Sequence, residues 1–171
     1  MFEELLERLA GALERVGIDY MIIGGQAVLL YGEARLTKDI DITLGVGIER
    51  LKEAVEVADE ALLRRLTNDD DFTRQTMVLP CIDTVSDIRV DLILSNSEYE
   101  LHAFRRVRKV RIRSADVHFA SPEDVIIHKM VAGRPRDIED VQNILSVNPD
   151  LDKAYIRDLS LIHISEPTRP Y

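Results

Sequence analysis

Two short motifs constrain this chain more than anything else in it. The apolar pair Ile22-Ile23 runs into Gly24-Gly25-Gln26-Ala27, and thirteen residues separate Gly25 from Asp39-Ile40-Asp41-Ile42. A glycine pair at the end of an apolar run permits a sharp strand-to-helix turn. From Lys38 to Leu44 the pattern alternates, with Ile40, Ile42 and Leu44 on one face and Asp39, Asp41 and Thr43 on the other. Such a strand buries one face and presents two carboxylates on the other. At about 3.3 Å of rise per residue, the α-carbons of Asp39 and Asp41 lie about 6.5–7 Å apart.

The surrounding pattern mixes helices and strands. Residues 2–16 carry Phe2, Leu5, Leu6, Leu9, Leu13 and Val16 at helical spacing, with Gly17 as the stop. Asp19 to Ile23 reads as a strand, and Gln26 to Tyr31 as a helix ended by Gly32. Ile48 to Leu66 reads as one amphipathic helix, and Asn68 to Asp71 as a polar loop without the ligand spacing of a calcium site. Thr76 to Pro80 and Ile88 to Leu94 are strand candidates, and residues 106–112 and 116–119 can pair across Ser114-Ala115. Ser121-Pro122-Glu123-Asp124 is a helix start, with a serine cap, a proline in the first turn and acids at the positive end. That helix runs to about Ala132 and stops at Gly133. A further helix covers Arg136 to Leu145, and Asp152 to Leu161 can add another.

The expected organisation is a core over residues 1–120 and a helical segment over 121–158. The end, 159–171, has two prolines and no periodicity near its terminus. It resembles sequence appended by a read-through and is set aside from the functional reading.

Composition excludes several classes. A net charge of −9 argues against a general nucleic-acid coating protein. No apolar run approaches the ~20 residues of a membrane helix, and Met1-Phe2-Glu3-Glu4 lacks the order of a signal peptide. The lone Cys81 excludes an intrachain disulfide and a cysteine-rich zinc site. A cytoplasmic protein without a membrane partner is the expectation. The four histidines have no helical metal spacing. Residues 105–113 hold six basic side chains in nine, either an edge strand guarded by charge or a strand facing phosphate or RNA.

The carboxylates carry the chemistry. Asp39 and Asp41 can converge on one ion or bridge two. Magnesium takes oxygen ligands and keeps substrate phosphates or water in its other positions. Asp91, alone among the apolar residues of Val90 to Leu94, needs a partner, because a charge in a buried strand is costly unless paired or metal-bound. By itself Asp-x-Asp could face solvent and Gly24-Gly25 could be a plain turn. The glycines, the Arg35-x-Thr37 lead-in and Asp91 together favour a site for a metal-bound nucleoside triphosphate. The first turn of the helix near Gln26 would offer N–H groups to phosphate oxygens. The glycines match neither a Walker sequence nor a dinucleotide fingerprint.

Gly24-Gly25, the thirteen-residue spacer, Asp39-Ile40-Asp41 and the later Asp91 resemble the nucleotidyltransferase superfamily typified by DNA polymerase beta. Gly-Gly-Gln-Ala with Arg-x-Thr-x-Asp-Ile-Asp is similar to its small prokaryotic branch, the minimal nucleotidyltransferases and the AbiEii-like toxins. The resemblance covers roughly residues 15–146. It implies an α+β fold: a mixed, mostly antiparallel sheet flanked by helices, with a helical C-terminal part. It implies transfer of a nucleotidyl group from a nucleoside triphosphate to a hydroxyl, with release of pyrophosphate. Asp39, Asp41 and Asp91 would then hold magnesium, or manganese, and Asp91 would help deprotonate the acceptor. Gly24 and Gly25 would hold the triphosphate, with Gln26, Arg35 and Thr37 beside it. The segment from His128-Lys129 to Arg134-Pro135-Arg136-Asp137-Ile138-Glu139-Asp140 is similar to a stretch of the toxin-like branch in which the lysine meets phosphate and an aspartate supports the site. Lys129, Asp137 and Asp140 join the candidates on that basis, although salt bridging on helix surfaces would also account for them.

Two further functions stay open at this level. A catalytically silent protein of the same fold could serve as toxin or antitoxin partner, and a metal-dependent hydrolase would release products without an acceptor. An acceptor could be RNA, a protein hydroxyl or a small molecule.

Overall fold

The computed structural model describes residues 1–33, 36–95 and 97–164, with side chains through Leu161. Helix α1 (Phe2–Val16) precedes strand β1 (Tyr20–Ile23), which passes directly into α2 (Gly24–Tyr31). Strand β2 (Asp39–Leu44) follows, then a 3-10 turn and α3 (Leu51–Glu60), β3 (Leu63–Arg65), α4 (Asp70–Thr76), β4 (Val78–Asp83) and β5 (Arg89–Leu94). The chain continues through α5 (Glu98–Arg105), the hairpin β6 (Arg108–Ile112) and β7 (Ala115–Phe119), and the helices α6 (Pro122–Ala132), α7 (Pro135–Val147) and α8 (Lys153–Ile164).

The described strands form one sheet in the order β3-β4-β5-β2-β1-β7-β6. The β2–β5 and β1–β7 pairs are parallel and the other four are antiparallel, so the sheet is mixed and mostly antiparallel. The α+β architecture implied by the resemblance is present. Ile40, Ile42, Leu44, Val90, Leu92 and Leu94 are fully buried, which bears out the apolar face read in β2 and extends it to β5, while Thr43 and Ile93 on the other face are buried as well. Full burial of such side chains stabilises by roughly 1.5–3 kcal/mol each. Helix α1 packs on α3 and β7, α2 packs on β1 and β2, and α6 packs on α2, α7 and α8. No helix among the described residues is long and apolar enough to cross a membrane.

Four local readings need correction. The helix expected over 48–66 ends at Glu60, because Leu62 takes a left-handed conformation (φ 62) and the chain turns back into β3. Leu62 and Leu66, which extended the helical spacing, are exposed, whereas Leu63 is buried in the β3–β4 pairing. Asn68 to Asp71 is not wholly loop: Asp69 Oδ1 accepts from the Asp71 N–H at 3.0 Å and caps α4, with two acids in the first turn. Thr76 belongs to that helix, and β4 begins after Met77, also left-handed (φ 61). Helix α5 was not expected, although Ser97 and Glu100 form a capping box that the spacing Ser-x-x-Glu announces.

The hairpin stands at 108–112 and 115–119, turning through Arg113 and Ser114. The α6 start follows the sequence signal: Ser121 Oγ accepts from the Asp124 N–H, and Pro122 occupies the first turn. Helix α8 carries the chain through residues 159–164, with Leu159 packed against the core and Ser160 buried. Residues 165–171 lie outside the described part.

Candidate active site

The β2–β5 register sets the site. Asp41 pairs with Asp91 across adjacent parallel strands, and Asp39 pairs with Arg89. Register partners on neighbouring strands are about 4.8 Å apart and project to the same face. Asp41 is also the partner of Ile23 in β1, and Asp91 of Pro80 in β4. Two carboxylates therefore stand side by side in the middle of the sheet, Asp39 stands one step along β2, and Arg89 completes the square. Asp39 is exposed, while Asp41 and Asp91 are half-buried.

Gly24 lies against this row. Its backbone is left-handed (φ +67), and a Cβ there would collide with the Asp41 carboxylate. Gly25 serves a second close approach: a Cβ on it would lie 2.5 Å from Thr37 Oγ1. Gln26 is buried, and its Nε2 donates to the Asp39 carbonyl at 3.4 Å. It ties the first turn of α2 to the start of β2. Arg35 lies outside the described residues.

Burial pushes the Asp41 carboxyl up to about 6, and the neighbouring charges of Asp91 and Asp39 add to that, against the pull of Lys129 and Arg89. Burial also raises Asp91, with Asp39 adding, while the Arg89 hydrogen bond and charge act the other way. Arg89 Nε donates to Asp91 Oδ1 at 3.1 Å. Asp41 and Asp91 thus hold a proton more tightly than a free aspartate does. Asp41 and Asp91 offer hard oxygen donors suited to a divalent cation, with Asp39 nearby. Among the described residues no group of three His, Cys, Asp or Glu side chains closes on one point.

A second cluster faces the same cleft. Lys129 on α6 is buried, and its Nζ lies 3.0 Å from both Asp137 Oδ1 and Asp140 Oδ2 on α7. Both aspartates point inward. Asp137 also accepts from Arg134 Nε at 2.7 Å and from the Arg134 N–H at 3.2 Å, which caps the start of α7. Burial opposes the charge of Asp137, but the hydrogen bonds from Arg134 and Lys129 outweigh it and hold the carboxyl below the usual range. The Lys129 ammonium is therefore fixed by two carboxylates, close enough to Asp41 to favour its charged form.

The cleft over this row has a volume of about 580 Å³. Gly24, Asp41, Asp91, Lys129 and Asp137 all line it. Among the further lining residues, Arg89, His128, Arg134 and Phe72 bear charged or aromatic side chains and were not sequence candidates. Arg89 was legible from its i, i+2 spacing to Asp91 on one strand. His128 precedes Lys129 on α6 and meets Tyr99 edge-on, with ring centroids 5.5 Å apart. Phe72 depends on α4, which its segment did not announce as a helix.

The basic stretch is elsewhere. Strand β6 is the edge of the sheet, three strands from β2. Arg111 pairs with Asp116, Arg113 with Glu4 and Glu7, and Arg106 with Glu123.

Solved structures share this architecture at low identity. ANT(2'')-Ia in complex with adenylyl-2''-tobramycin matches with a TM-score of 0.61 at 16% identity, over 94% of this chain and 95% of that one. The antigenic nucleotidyltransferase-like protein from Paracoccidioides brasiliensis gives 0.59 at 16%, over 96% and 88%. The lincomycin-bound lincosamide antibiotic adenylyltransferase LnuA gives 0.57 at 14%, over 84% and 96%. At these identities the likeness is one of fold. No curated protein matches the sequence. The sequence itself matches, over residues 1–160, the family described as nucleotidyltransferase of unknown function (DUF6036), and the chain belongs to that nucleotidyltransferase family.

Proposed function

We propose that this chain is a divalent-metal-dependent nucleotidyltransferase that moves a nucleoside monophosphate from a nucleoside triphosphate to a hydroxyl acceptor, releasing pyrophosphate. The observation that carries the reading is the in-register pair Asp41 and Asp91 beside a Gly24 that can bear no side chain. The donor set fits magnesium, or manganese: two adjacent carboxylates whose proton affinity is raised by burial and by neighbouring acids, with Asp39 next to them. Magnesium is commonly held by one or two carboxylates together with substrate phosphates, so three converging side chains are not required. When bound, the ion supplies positive charge to the transferring phosphoryl group and its oxygens.

The chain's own groups have distinct tasks in this reading. Gly24 lets the triphosphate approach the backbone at the start of α2, whose first N–H groups are uncapped by any side chain. Arg89, Lys129 and Arg134 place positive charge around the phosphates. Asp137 and Asp140 hold the Lys129 ammonium in position. Asp91 orients the acceptor hydroxyl and takes up its proton, which its raised proton affinity favours. Fold relatives that include a lincosamide antibiotic adenylyltransferase and ANT(2'')-Ia in complex with adenylyl-2''-tobramycin support nucleotidyl transfer as the chemistry.

Calorimetric titration with each nucleoside triphosphate, with and without magnesium, tests the reading. Metal-dependent binding that disappears in Asp41→Asn, with the fold intact, is the expected result. Absence of metal-dependent binding by any triphosphate would overturn it, and would favour a silent, toxin- or antitoxin-like partner on the same fold.

A further inference from the structure

Resting on that reading, we propose that α4 forms the acceptor wall of the cleft, with Phe72 as its platform, and that the acceptor is a small hydroxyl compound with an apolar or ring face. The argument begins with the order of groups across the floor. Reading along the sheet, Pro80, Asp91, Asp41 and Ile23 follow one another on β4, β5, β2 and β1. Gly24 and α2 continue from the β1 end. Asp91 is therefore the carboxylate nearest β4 and the helix that leads into it.

The two walls differ in chemistry. Lys129 and Arg134 belong to the α6–α7 side, where a polyanion finds charge. The α4 side presents Phe72, Thr76, Val78 and, from the adjoining strand, Ile93. Those four side chains carry one hydroxyl and no charge, and Arg89, at the other end of the strand that bears Ile93, is bonded to Asp91. A triphosphate gains nothing from such a wall, because its oxygens would lose water without a hydrogen-bond partner. An apolar face gains from it directly. Phe72 is 43% exposed and lines the cleft together with Thr76 and Val78. An aromatic ring there offers a broad contact surface with little side-chain entropy to lose.

The size and setting favour a small molecule. The cleft, about 580 Å³, lies within the roughly 300–1,000 Å³ of small-ligand sites. A nucleic-acid acceptor would need free basic side chains leading to Asp91. The basic strand β6 is at the opposite end of the sheet from β4, so its exposed Arg108 and Lys109 lie away from Asp91, and Arg106, Arg111 and Arg113 are paired with acids of this chain.

The test uses the full chain, α-labelled triphosphates and magnesium, with three acceptor pools from a cell extract: a filtrate below about 1 kDa, total RNA and total protein. Label should pass to the filtrate. Phe72→Ala should reduce that transfer about tenfold or more, while its triphosphate affinity, measured by calorimetry without acceptor, stays within about twofold. Phe72→Trp should keep most of the transfer. Since the chain has no tryptophan, that variant also places a single fluorophore on the wall, and its emission should respond to the purified labelled product and not to the triphosphate alone. Transfer to RNA or protein would overturn the proposal, as would unchanged transfer by Phe72→Ala or no transfer despite metal-dependent triphosphate binding. A loss of triphosphate affinity in Phe72→Ala would make the ring a base platform instead and would equally overturn it. Failure of wild type to bind any triphosphate would instead sink the nucleotidyl-transfer reading on which it rests.

Discussion

Gly24 and Asp41 are in contact where no side chain at position 24 could fit: a Cβ there would run into the carboxylate, and the backbone is left-handed as well. Gly24→Ala should therefore cost about 1–3 kcal/mol, the conformational penalty plus displacement of Asp41. Urea denaturation measures it. Metal-dependent triphosphate binding should fall more steeply than stability, because the displaced group is the proposed ligand. Near-native binding in a destabilised protein would show that the carboxylate position is not critical.

Asp41 makes stability depend on pH. Its folded value of about 6 lies above the ordinary 3.8, so the native state holds a proton that the unfolded chain releases. This contribution to stability is fully present below about pH 4 and is lost as pH rises towards and through 6. In EDTA, Asp41→Asn should be more stable than wild type at pH 7.5, by at most about 3 kcal/mol. The difference should vanish near pH 4. Thermal melts across that range check the sign, and an increment that grows as pH falls would contradict it.

Lys129 is the shared counterion of two buried carboxylates. Lys129→Met leaves Asp137 with Arg134 and deprives Asp140 of its ammonium partner, a loss of about 3 kcal/mol. Lys129→Met with Asp140→Leu should recover much of it while activity stays low. Chemical denaturation of the single and double variants separates the packing role from the electrostatic one.

Asp124 is fully buried and accepts from Ser121, Tyr99 and Tyr155, at 2.7, 3.2 and 2.7 Å. Tyr155 brings α8 to this network, and the Arg106 guanidinium lies 3.8 Å over its ring. Tyr155→Phe should cost about 1–3 kcal/mol and leave triphosphate affinity unchanged, since the hydroxyl it removes bonds Asp124, which does not line the cleft. A change in affinity larger than the stability effect would instead link α8 to the site.

Much of the fold could be read where the signal is local. The β2 alternation, the α1 stripe and the caps at Ser121 and Gly133 each depend on residues within one or two turns. Where a long-range pairing overrides local spacing, the reading failed. Leu62 and Leu66 continue a helical period, yet pairing of β3 with β4 draws the chain into extended form. Phe72 could not be placed at the cleft without knowing that the segment after Asp69 is helical and leads into a strand beside Asp91.

The same division holds for the site. Sequence alone marked Gly24, Asp39, Asp41 and Asp91 as candidates, because a glycine after an apolar run, Asp-x-Asp and an isolated aspartate are matters of residue type and local period. Tertiary structure decided what each of them faces. Parallel register sets Asp41 beside Asp91 and Arg89 beside Asp39. The fold also turns Gln26 towards the Asp39 backbone and lets both Asp137 and Asp140 close on Lys129. Those relations join residues dozens of positions apart. They follow from strand order and helix packing, which no spacing within a single element specifies.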